Sequence, residues 1–270
     1  MRSTAPGVAV GGRLLCTSAP TPPPCPPLTL TLAAATDIMR RMESLTPLAP
    51  EIWVATRPLK IVVGDIGTRM TVVRLRDGGL FVHSPVHLDA ATKDALDAIG
   101  TVRCVVAPTA VHHFYVGDYL AAYPAARAFG APGVAAKRPD LRFDAELSDQ
   151  APPEWSGVLE QHFFRGAPLM NEVVFFHPAS RTLILTDLAF NMRRYPAGRA
   201  RIFCWLVGAV GRFGPHLVIR LGIRDRRAAA ESIRRILDWD FDRVTVTHGE
   251  VLESGGKALF AAAFAYLGAA

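Results

Sequence analysis

The sequence of 270 residues predicts an α/β protein, and three observations support this class. Half of the residues are hydrophobic, which is enough to bury a substantial core. Short runs rich in β-branched residues alternate with longer runs in which apolar residues recur at helical spacing. Glycine, proline and aspartate stand between these runs, where strands and helices usually end. We therefore expect strands and helices to alternate along most of the chain.

The first 41 residues differ from the rest of the chain. They contain the proline cluster TSAPTPPPCPP, have no regular periodicity and carry almost no acidic residues. We predict a disordered leader at residues 1–41 and one domain at residues 42–270. Either an organelle transit peptide or an overextended start, with Met39 or Met42 as the true first residue, fits the leader. The expected location is the cytoplasm, or an organelle if the leader is a transit peptide.

Strands open the predicted domain. The runs EIWVAT, KIVVG, MTVVRL and GLFVHS are short and β-branched or aromatic, and residues 76–78 form a hairpin turn between the last two. The segment LDAATKDALDAIG follows, with Asp89 as an N-cap and Gly100 at its end. It predicts a helix that leads into the buried strand VRCVVAP.

The second half of the chain repeats this alternation. DYLAAYP begins a helix that Pro124 ends, and EVVFFHPASRTLILTDLAF contains two strands joined by a turn at residues 178–180. DRRAAAESIRRILDW is an amphipathic helix with Asp225 as its cap. A last strand, DRVTVTHGE, precedes the helix GKALFAAAFAYL.

Charge and cysteine content restrict the classes of function. The net charge is +6, and much arginine lies between Arg193 and Arg235, where only Asp225 and Glu231 oppose it. This stretch predicts a solvated face, with an anionic ligand as the alternative, and no nucleic-acid motif accompanies it. The four cysteines lack CxxC spacing, which favours a reducing compartment. The longest apolar run, IFCWLVGAV, is too short for a membrane span, so we expect a soluble protein.

Four phrases in this order, RLRDGGLFVHSP, VVAPTAVHHFYVGDY, RTLILTDLAF and VTVTHGE, resemble the metallo-β-lactamase superfamily. They resemble more closely an uncharacterised branch of it that is described only as a domain of unknown function. The resemblance covers most of the chain from about Met42 onward. It implies a four-layer αββα sandwich in which loops at one edge carry one or two metal ions. Members of the superfamily are mostly hydrolases.

The resemblance also indicates which ligand positions are kept. The superfamily motif THxHxDHxGG falls on TAVHHFYVGD, where Thr109, His112 and Gly117 match their counterparts. Asp187 matches the metal-bridging aspartate and His248 matches the last histidine. Other residues occupy the remaining ligand positions, namely Ala110, Phe114, Tyr115 and Ala167. The implied remnant is a metal site of His112, Asp187 and His248.

Such a remnant implies at most one weakly held divalent ion, which could be zinc, iron or manganese, or no ion. Two imidazoles and a carboxylate satisfy the ligand count of a catalytic zinc site with one open position. With a metal, the expected reaction is hydrolysis of a carbonyl or phosphoryl group in an unknown small-molecule substrate. His113 is the predicted catalytic residue, as a proton shuttle, or else it supports a ligand. A shift of the loop would allow His113 and Asp118 to replace lost ligands.

Two functions follow from this reasoning. The first is a single-metal hydrolase, and the second is a metal-free, non-catalytic descendant that binds an anionic ligand or a protein partner. We expect the aromatic side chains of Phe114 and Tyr115 to fill the space of a second ion, which favours the second function.

Four further residues are candidates by their position. His83 and His87 lie after the first hairpin and are predicted to line the pocket. His177, at the tip of a hairpin, is predicted to face solvent. Glu172 stands beside the lost histidine position and is either a substitute ligand or an exposed carboxylate at the start of a strand.

Overall fold

The computed structural model of the protein describes residues 44–268. The predicted leader, residues 1–41, lies outside the described residues, and its disorder stays a prediction. Within the described residues the strands are β1 (Thr46–Ala49), β2 (Ile52–Arg57), β3 (Lys60–Ile61), β4 (Gly64–Asp65), β5 (Thr68–Arg74), β6 (Gly79–His83), β7 (Thr101–Ala107), β8 (Arg127–Gly130), β9 (Ala145–Glu146), β10 (Glu160–Phe163), β11 (Val173–His177), β12 (Thr182–Ile184) and β13 (Arg243–Thr245). The helices are α1 (Ala90–Ile99), α2 (Val116–Ala122), α3 (Val134–Lys137), α4 (Arg199–Leu206), α5 (Leu217–Gly222), α6 (Arg226–Asp238) and α7 (Gly256–Phe264).

Two sheets contain most of the strands. The first has the order β1-β2-β5-β6-β7-β8-β9, antiparallel from β1 to β6 and parallel from β6 to β9. The second has the order β10-β11-β12-β13, in which only β12 and β13 run parallel. Strands β3 and β4 form a separate small hairpin. Each parallel pair places the carboxyl ends of neighbouring strands at one edge of its sheet.

The side chains of β11 show how the layers are stacked. Val173 and Phe175 belong to a core cluster shared with the first sheet, whereas Val174 and Phe176 belong to a cluster shared with α6 and α7. All five residues of β11 are buried because a sheet that is covered on both faces has no solvated side. The first sheet carries α1 and α2 on its other face, through Leu96 among others. The four-layer αββα sandwich is therefore confirmed.

Local signals set the helix ends that the sequence predicts. The Asp89 side chain accepts a hydrogen bond from the backbone N–H of Thr92 at the start of α1, at 2.7 Å. The Asp225 side chain does the same for Ala228 at the start of α6, at 2.9 Å. Both caps are confirmed, and each satisfies an amide that the helix itself leaves unpaired.

One predicted exposure is wrong. His177 ends β11 and is 4% exposed, with Nδ1 at 2.8 Å from Ser180 Oγ. The turn that follows is a short 3-10 helix at Pro178–Ser180, which folds back over the imidazole. The imidazole of His177 is therefore buried by the turn that follows it and does not face solvent.

Across residues 44–268, each helix is either too short or too polar to cross a bilayer.

Candidate metal centre

Three of the predicted ligands meet at one edge of the sandwich. His112 lies in the loop after β7, Asp187 in the loop after β12, and His248 in the loop after β13. Both sheets contribute, since β7 belongs to the first and β12 and β13 to the second. The three side chains are between 2% and 9% exposed. The site is thus built where the carboxyl ends of parallel strands lie side by side.

The three donor atoms form a nearly equilateral triangle. His112 Nε2 lies 3.2 Å from His248 Nε2 and 3.3 Å from Asp187 Oδ1, and His248 Nε2 lies 3.4 Å from the same oxygen. In a tetrahedral zinc site with bonds of about 2.0 to 2.1 Å, ligand atoms lie about 3.3 to 3.4 Å apart. The triangle therefore has the dimensions of one face of such a tetrahedron. The donor set fits a single divalent ion with one position left for another ligand.

Both imidazoles are oriented by hydrogen bonds at Nδ1, the ring nitrogen that faces away from the cluster. His248 Nδ1 lies 2.7 Å from the carbonyl oxygen of Gly67, which can only accept, so Nδ1 carries the proton. The lone pair of His248 Nε2 then points toward the cluster. His112 Nδ1 lies 3.0 Å from Ser84 Oγ, and Ser84 occupies a left-handed backbone conformation at φ 51° directly after β6. Hydrogen bonds of this kind fix the tautomer and ring plane of histidines that bind metals.

Asp187 is held through its second oxygen. Thr109 Oγ1 donates to Asp187 Oδ2 at 3.2 Å and accepts from the backbone N–H groups of Val111 and His112, both at 3.1 Å. Thr109 therefore joins the loop that carries one ligand to the side chain of another. Burial would raise the pKa of Asp187, but the adjacent imidazoles, His112 first and then His248, outweigh burial and hold this pKa far below its usual range. Asp187 is a carboxylate at neutral pH.

Glu172 is neither a ligand nor exposed. Its side chain is fully buried, and its two oxygens accept hydrogen bonds from the backbone N–H groups of Thr186, Asp187 and Leu188 at 2.7 to 2.8 Å. Burial and the charge of Asp187 raise the pKa of Glu172 to about 8, against the three N–H groups, which lower it. Both alternatives predicted for Glu172, a substitute ligand and an exposed carboxylate, are therefore wrong. Glu172 fixes the backbone from which Asp187 projects.

Arg69 performs a similar task for the loop before His248. It lies in β5, is 8% exposed, and donates from Nη1 to the carbonyl oxygen of Val246 at 2.7 Å. Since Gly67 accepts from His248, the start of β5 contacts this loop twice. Burial lowers the pKa of Arg69, and the nearby charge of Glu250 opposes that change.

The other candidate residues lie outside the triangle. His83 ends β6, is 1% exposed, and lies with Nε2 3.4 Å from Thr186 Oγ1, so it lines the interior beside the site. His87 is exposed and contacts the ring of Tyr115. His113 is half-buried against Phe114, and Asp118 is exposed in the first turn of α2. Among the described residues, none of these four belongs to the cluster of potential metal ligands.

One neighbour of the site has no counterpart in the sequence prediction. His216 precedes α5 and is 6% exposed, and its ring packs edge-on against Phe190 at 4.6 Å. Phe190 also contacts His248, at 4.6 Å between ring centroids. Burial lowers the pKa of His216 to about 4, so this imidazole is neutral at pH 7.

Ala167, one of the positions where the resemblance implies a missing ligand, lines an apolar cavity. Phe114 is 56% exposed, so the expectation that its ring fills the space of a second ion is wrong. Ala167 instead lines a cavity of about 220 Å³ whose other walls include Leu169, Met170 and Val218. Asp187 lies at one side of the same cavity. A largely apolar space therefore adjoins the donor triangle at Asp187.

Comparison with solved structures identifies this architecture. The protein superimposes on a metallo-β-lactamase from Pontibacter korlensis with a TM-score of 0.58, covering 83% of this chain and 98% of that chain at 14% identity. The fold is that of the metallo-β-lactamases. A metallo-β-lactamase from Hirschia baltica matches with a TM-score of 0.56, covering 83% and 96% of the two chains at 13% identity. FIM-1 from Pseudomonas aeruginosa, solved in a mono-zinc form, matches with a TM-score of 0.56, covering 83% and 93% at 11% identity.

Sequence comparison adds a narrower similarity. Residues 50–137 match a family described as a domain of unknown function, DUF4336. No curated protein matches the sequence significantly. The resemblance predicted from the sequence is confirmed, both to the metallo-β-lactamase fold and to a domain of unknown function. At identities of 11% to 14% the structural similarity shows the fold and says nothing about the reaction.

Proposed function

We propose that this protein is a hydrolase that uses one divalent metal ion held by His112, Asp187 and His248. The donor triangle, with sides of 3.2 to 3.4 Å, carries this proposal. In each donor residue, the polar atom that faces away from the triangle already forms a hydrogen bond. The partner is Ser84 for His112, Thr109 for Asp187 and Gly67 for His248. Two imidazoles and a carboxylate suit zinc, and iron and manganese accept the same donors.

The chain itself supplies positioning around the reaction. A bound divalent ion supplies Lewis acidity, which polarises a carbonyl or phosphoryl group and lowers the pKa of water. Thr109 holds the Asp187 carboxylate in place, and Glu172 holds the backbone of Asp187. Gly67 and Ser84 hold the two imidazoles. Because the donors are nearly buried, bulk water has little access to them, and the interactions of charged groups there are strengthened.

His113 is the proposed group that moves a proton. Burial, followed by the positive charges of Arg138 and Lys137, lowers the pKa of His113, so its imidazole is neutral and able to accept a proton at pH 7. His113 follows His112 directly in the chain, and its Nδ1 has no hydrogen-bond partner among the described residues. We expect His113→Gln to reduce kcat while the metal content stays at the parental value.

The cavity beside Asp187 supports a substrate with an apolar group next to the reacting bond. Its walls are formed largely by Leu169, Met170, Val218 and Ile219, and Asp187 supplies its polar end. A space of about 220 Å³ accommodates a short alkyl chain or one ring. Esters and lactones of medium-length acids are therefore the first compounds to assay.

Metal analysis of the purified full chain tests the proposal. We expect one equivalent of metal in the parent, loss of that equivalent in His112→Ala and in His248→Ala, and retention in His87→Ala, since His87 is exposed and outside the triangle. Added metal should raise the Tm of the parent and of the control but leave both ligand variants unchanged. Two equivalents in the parent, or one that survives both ligand substitutions, would contradict the proposed site.

One observation favours the second function, a metal-free protein that binds an anionic ligand or a protein partner. The contact of 3.2 Å between His112 Nε2 and His248 Nε2 allows an N–H···N hydrogen bond, so the two imidazoles can pair with each other without an ion. A parent protein with no metal after gentle purification, and with no rise in Tm on adding zinc, iron or manganese, would support this function instead.

A further inference from the structure

Helix α4 exposes an apolar stripe bordered by arginines. Ala200 and Cys204 face inward and are buried, whereas Ile202, Trp205 and Leu206 are all more than 60% exposed. These three residues are spaced three and four positions apart, so they lie on one side of the helix. Arg199 and Arg201 are exposed as well and lie on either side of the stripe.

Helix α5 continues the exposed apolar surface. Leu217, Val218 and Leu221 share one side of the helix and are between 46% and 67% exposed. The backbone N–H of Leu217 donates to the carbonyl oxygen of Val207 at 2.8 Å, so α5 begins beside the end of α4. We call the six residues the α4–α5 surface, namely Ile202, Trp205, Leu206, Leu217, Val218 and Leu221.

The charged residues of the segment that carries the α4–α5 surface have one sign. Residues 193–224 contain seven arginines and no aspartate or glutamate. Arg193 forms an ion pair with Glu250 at 3.2 Å, and Arg220 stacks on the ring of Tyr266 at 4.3 Å. Of the seven, five are exposed and have no ion pair within the described part of the chain, namely Arg194, Arg199, Arg201, Arg212 and Arg224.

We propose that the α4–α5 surface and its arginines dock on an anionic membrane surface. The apolar side chains would enter the interface, while the guanidinium groups reach the lipid phosphates and carboxylates. A second copy of this chain is a poorer occupant, because two copies would bring the exposed Arg199 and Arg201 of each into one interface, where residues 193–224 supply no carboxylate. An exposed apolar patch of this extent needs some partner, and the charge selects an anionic one.

Docking would also place the candidate metal centre close to lipid. Val218 belongs to the α4–α5 surface and lines the apolar cavity that ends at Asp187. The opening of that cavity therefore lies beside the docked surface, where apolar compounds concentrate. Membrane docking does not depend on metal binding, so the two proposals fail separately.

Vesicle flotation of the full chain tests the docking proposal. The probes are phosphatidylcholine vesicles with and without phosphatidylserine, each at low and at high salt. We expect binding to the anionic vesicles only, weakened by salt. Replacing both arginines in R199S/R201S should weaken binding by about fivefold for each charge removed. W205S/L206S should weaken it by about tenfold or more, because the interface loses two large apolar groups.

Matched controls separate these effects from general changes in charge or hydropathy. R142S/R234S removes two exposed arginines that lie elsewhere in the molecule and form no ion pair with any residue from 44 to 268, and Leu259→Ser removes an exposed leucine from α7. Both should bind vesicles as the parent does. In the bound parent the emission of Trp205 should shift to the blue, and this shift should be missing in Trp205→Phe.

Three results would overturn the proposal. The first is no binding to anionic vesicles at low salt, which would leave an acidic protein as the occupant. The second is a dimer in sedimentation that W205S/L206S converts to a monomer, which would make the surface a contact between copies. The third is that Trp205 resists a soluble quencher in the free monomer, which would show that another segment of this chain already covers it.

Discussion

At the scale of single residues, the geometry of the candidate centre depends on side chains outside the three donors. Thr109 illustrates this, since one hydroxyl group donates to Asp187 and accepts from the backbone of the His112 loop. From the sequence, Thr109 is only a position that matches the superfamily motif THxHxDHxGG. Its contacts show that it sets the distance between two of the three donors.

Replacing Thr109 with valine should weaken metal binding by about tenfold to a hundredfold, because the outer hydrogen bond of Asp187 is lost. Thr247→Val is the matched control, since Thr247 is also buried but its hydroxyl has no hydrogen-bond partner among the described residues. Competition with a chromogenic chelator measures both affinities. Equal affinities of the two variants would show that Thr109 does not position the carboxylate.

His83 should make the protein sensitive to acid. Burial, followed by the charge of His112, lowers the pKa of His83 to about 3, whereas the unfolded chain takes up this proton near pH 6.5. The unfolded state therefore binds more protons as the pH falls from about 6.5 to about 3. The free energy of unfolding should fall over this window by up to about 1.4 kcal/mol per pH unit for this group.

Denaturant titrations at several pH values check this expectation. His83→Gln should lose stability less steeply on acidification than the parent, and His87→Gln, at an exposed histidine of the same segment, should keep the parental slope. His216, with a pKa lowered to about 4 by burial, adds a contribution of the same sign, so some slope remains in His83→Gln. Identical slopes in the parent and His83→Gln would mean that His83 is not held neutral.

At the scale of elements, the sequence predicts what local pattern determines. The caps at Asp89 and Asp225 and the buried run of β7 depend on neighbours in the chain, and these predictions are confirmed. The run KIVVG was predicted as one strand, but it divides into β3 and the start of β4. Gly64, at φ +111°, lies so close to Ala200 that a Cβ there would come within 2.8 Å of its backbone. The sequence around Gly64 does not indicate its contact with Ala200.

Long-range contacts account for the functional residues that the sequence did not reveal. Arg69 and Val246 are 177 positions apart, so nothing near either residue indicates their hydrogen bond. Glu172 lies 14 to 16 positions from the amides that it accepts from. An acidic residue directly before an apolar strand is the one sequence signal at this position, and it does not show that the carboxyl group is buried. The exposed stripe of α4 also could not be predicted from the sequence. An apolar run such as IFCWLVGAV is usually buried, but Ile202, Trp205 and Leu206 are exposed.

Glu172→Leu should destabilise the loop that follows β12. The substitution removes both acceptor oxygens and leaves three buried backbone N–H groups without partners, which should lower the free energy of unfolding by about 3 kcal/mol or more. Glu172→Gln keeps one acceptor and should lose less. Thermal unfolding ranks the two variants, and metal affinity should fall in the same order. A Glu172→Leu protein that melts with the parent would contradict this role.

At the scale of the whole molecule, the prediction for the leader stays open to test. A proline-rich stretch with little apolar periodicity does not recover the entropy lost on ordering. We therefore expect a chain that starts at Met42 to keep the Tm of the full chain. Aggregation of the shorter chain, or a fall in its Tm by several degrees, would show that the first residues pack against the domain.

The position of the donor triangle between the two sheets has a consequence for folding kinetics. His112 and Asp187 are 75 positions apart and follow strands of different sheets, and Asp187 and His248 are 61 positions apart and follow neighbouring strands of the second sheet. We expect the three donors to come together after both sheets have formed and packed, so their contacts should be missing from the transition state for folding. A bound ion should then change the unfolding rate and leave the folding rate unchanged. Metal should slow unfolding in proportion to the stability that it adds, and the refolding rate should be the same with and without a chelator.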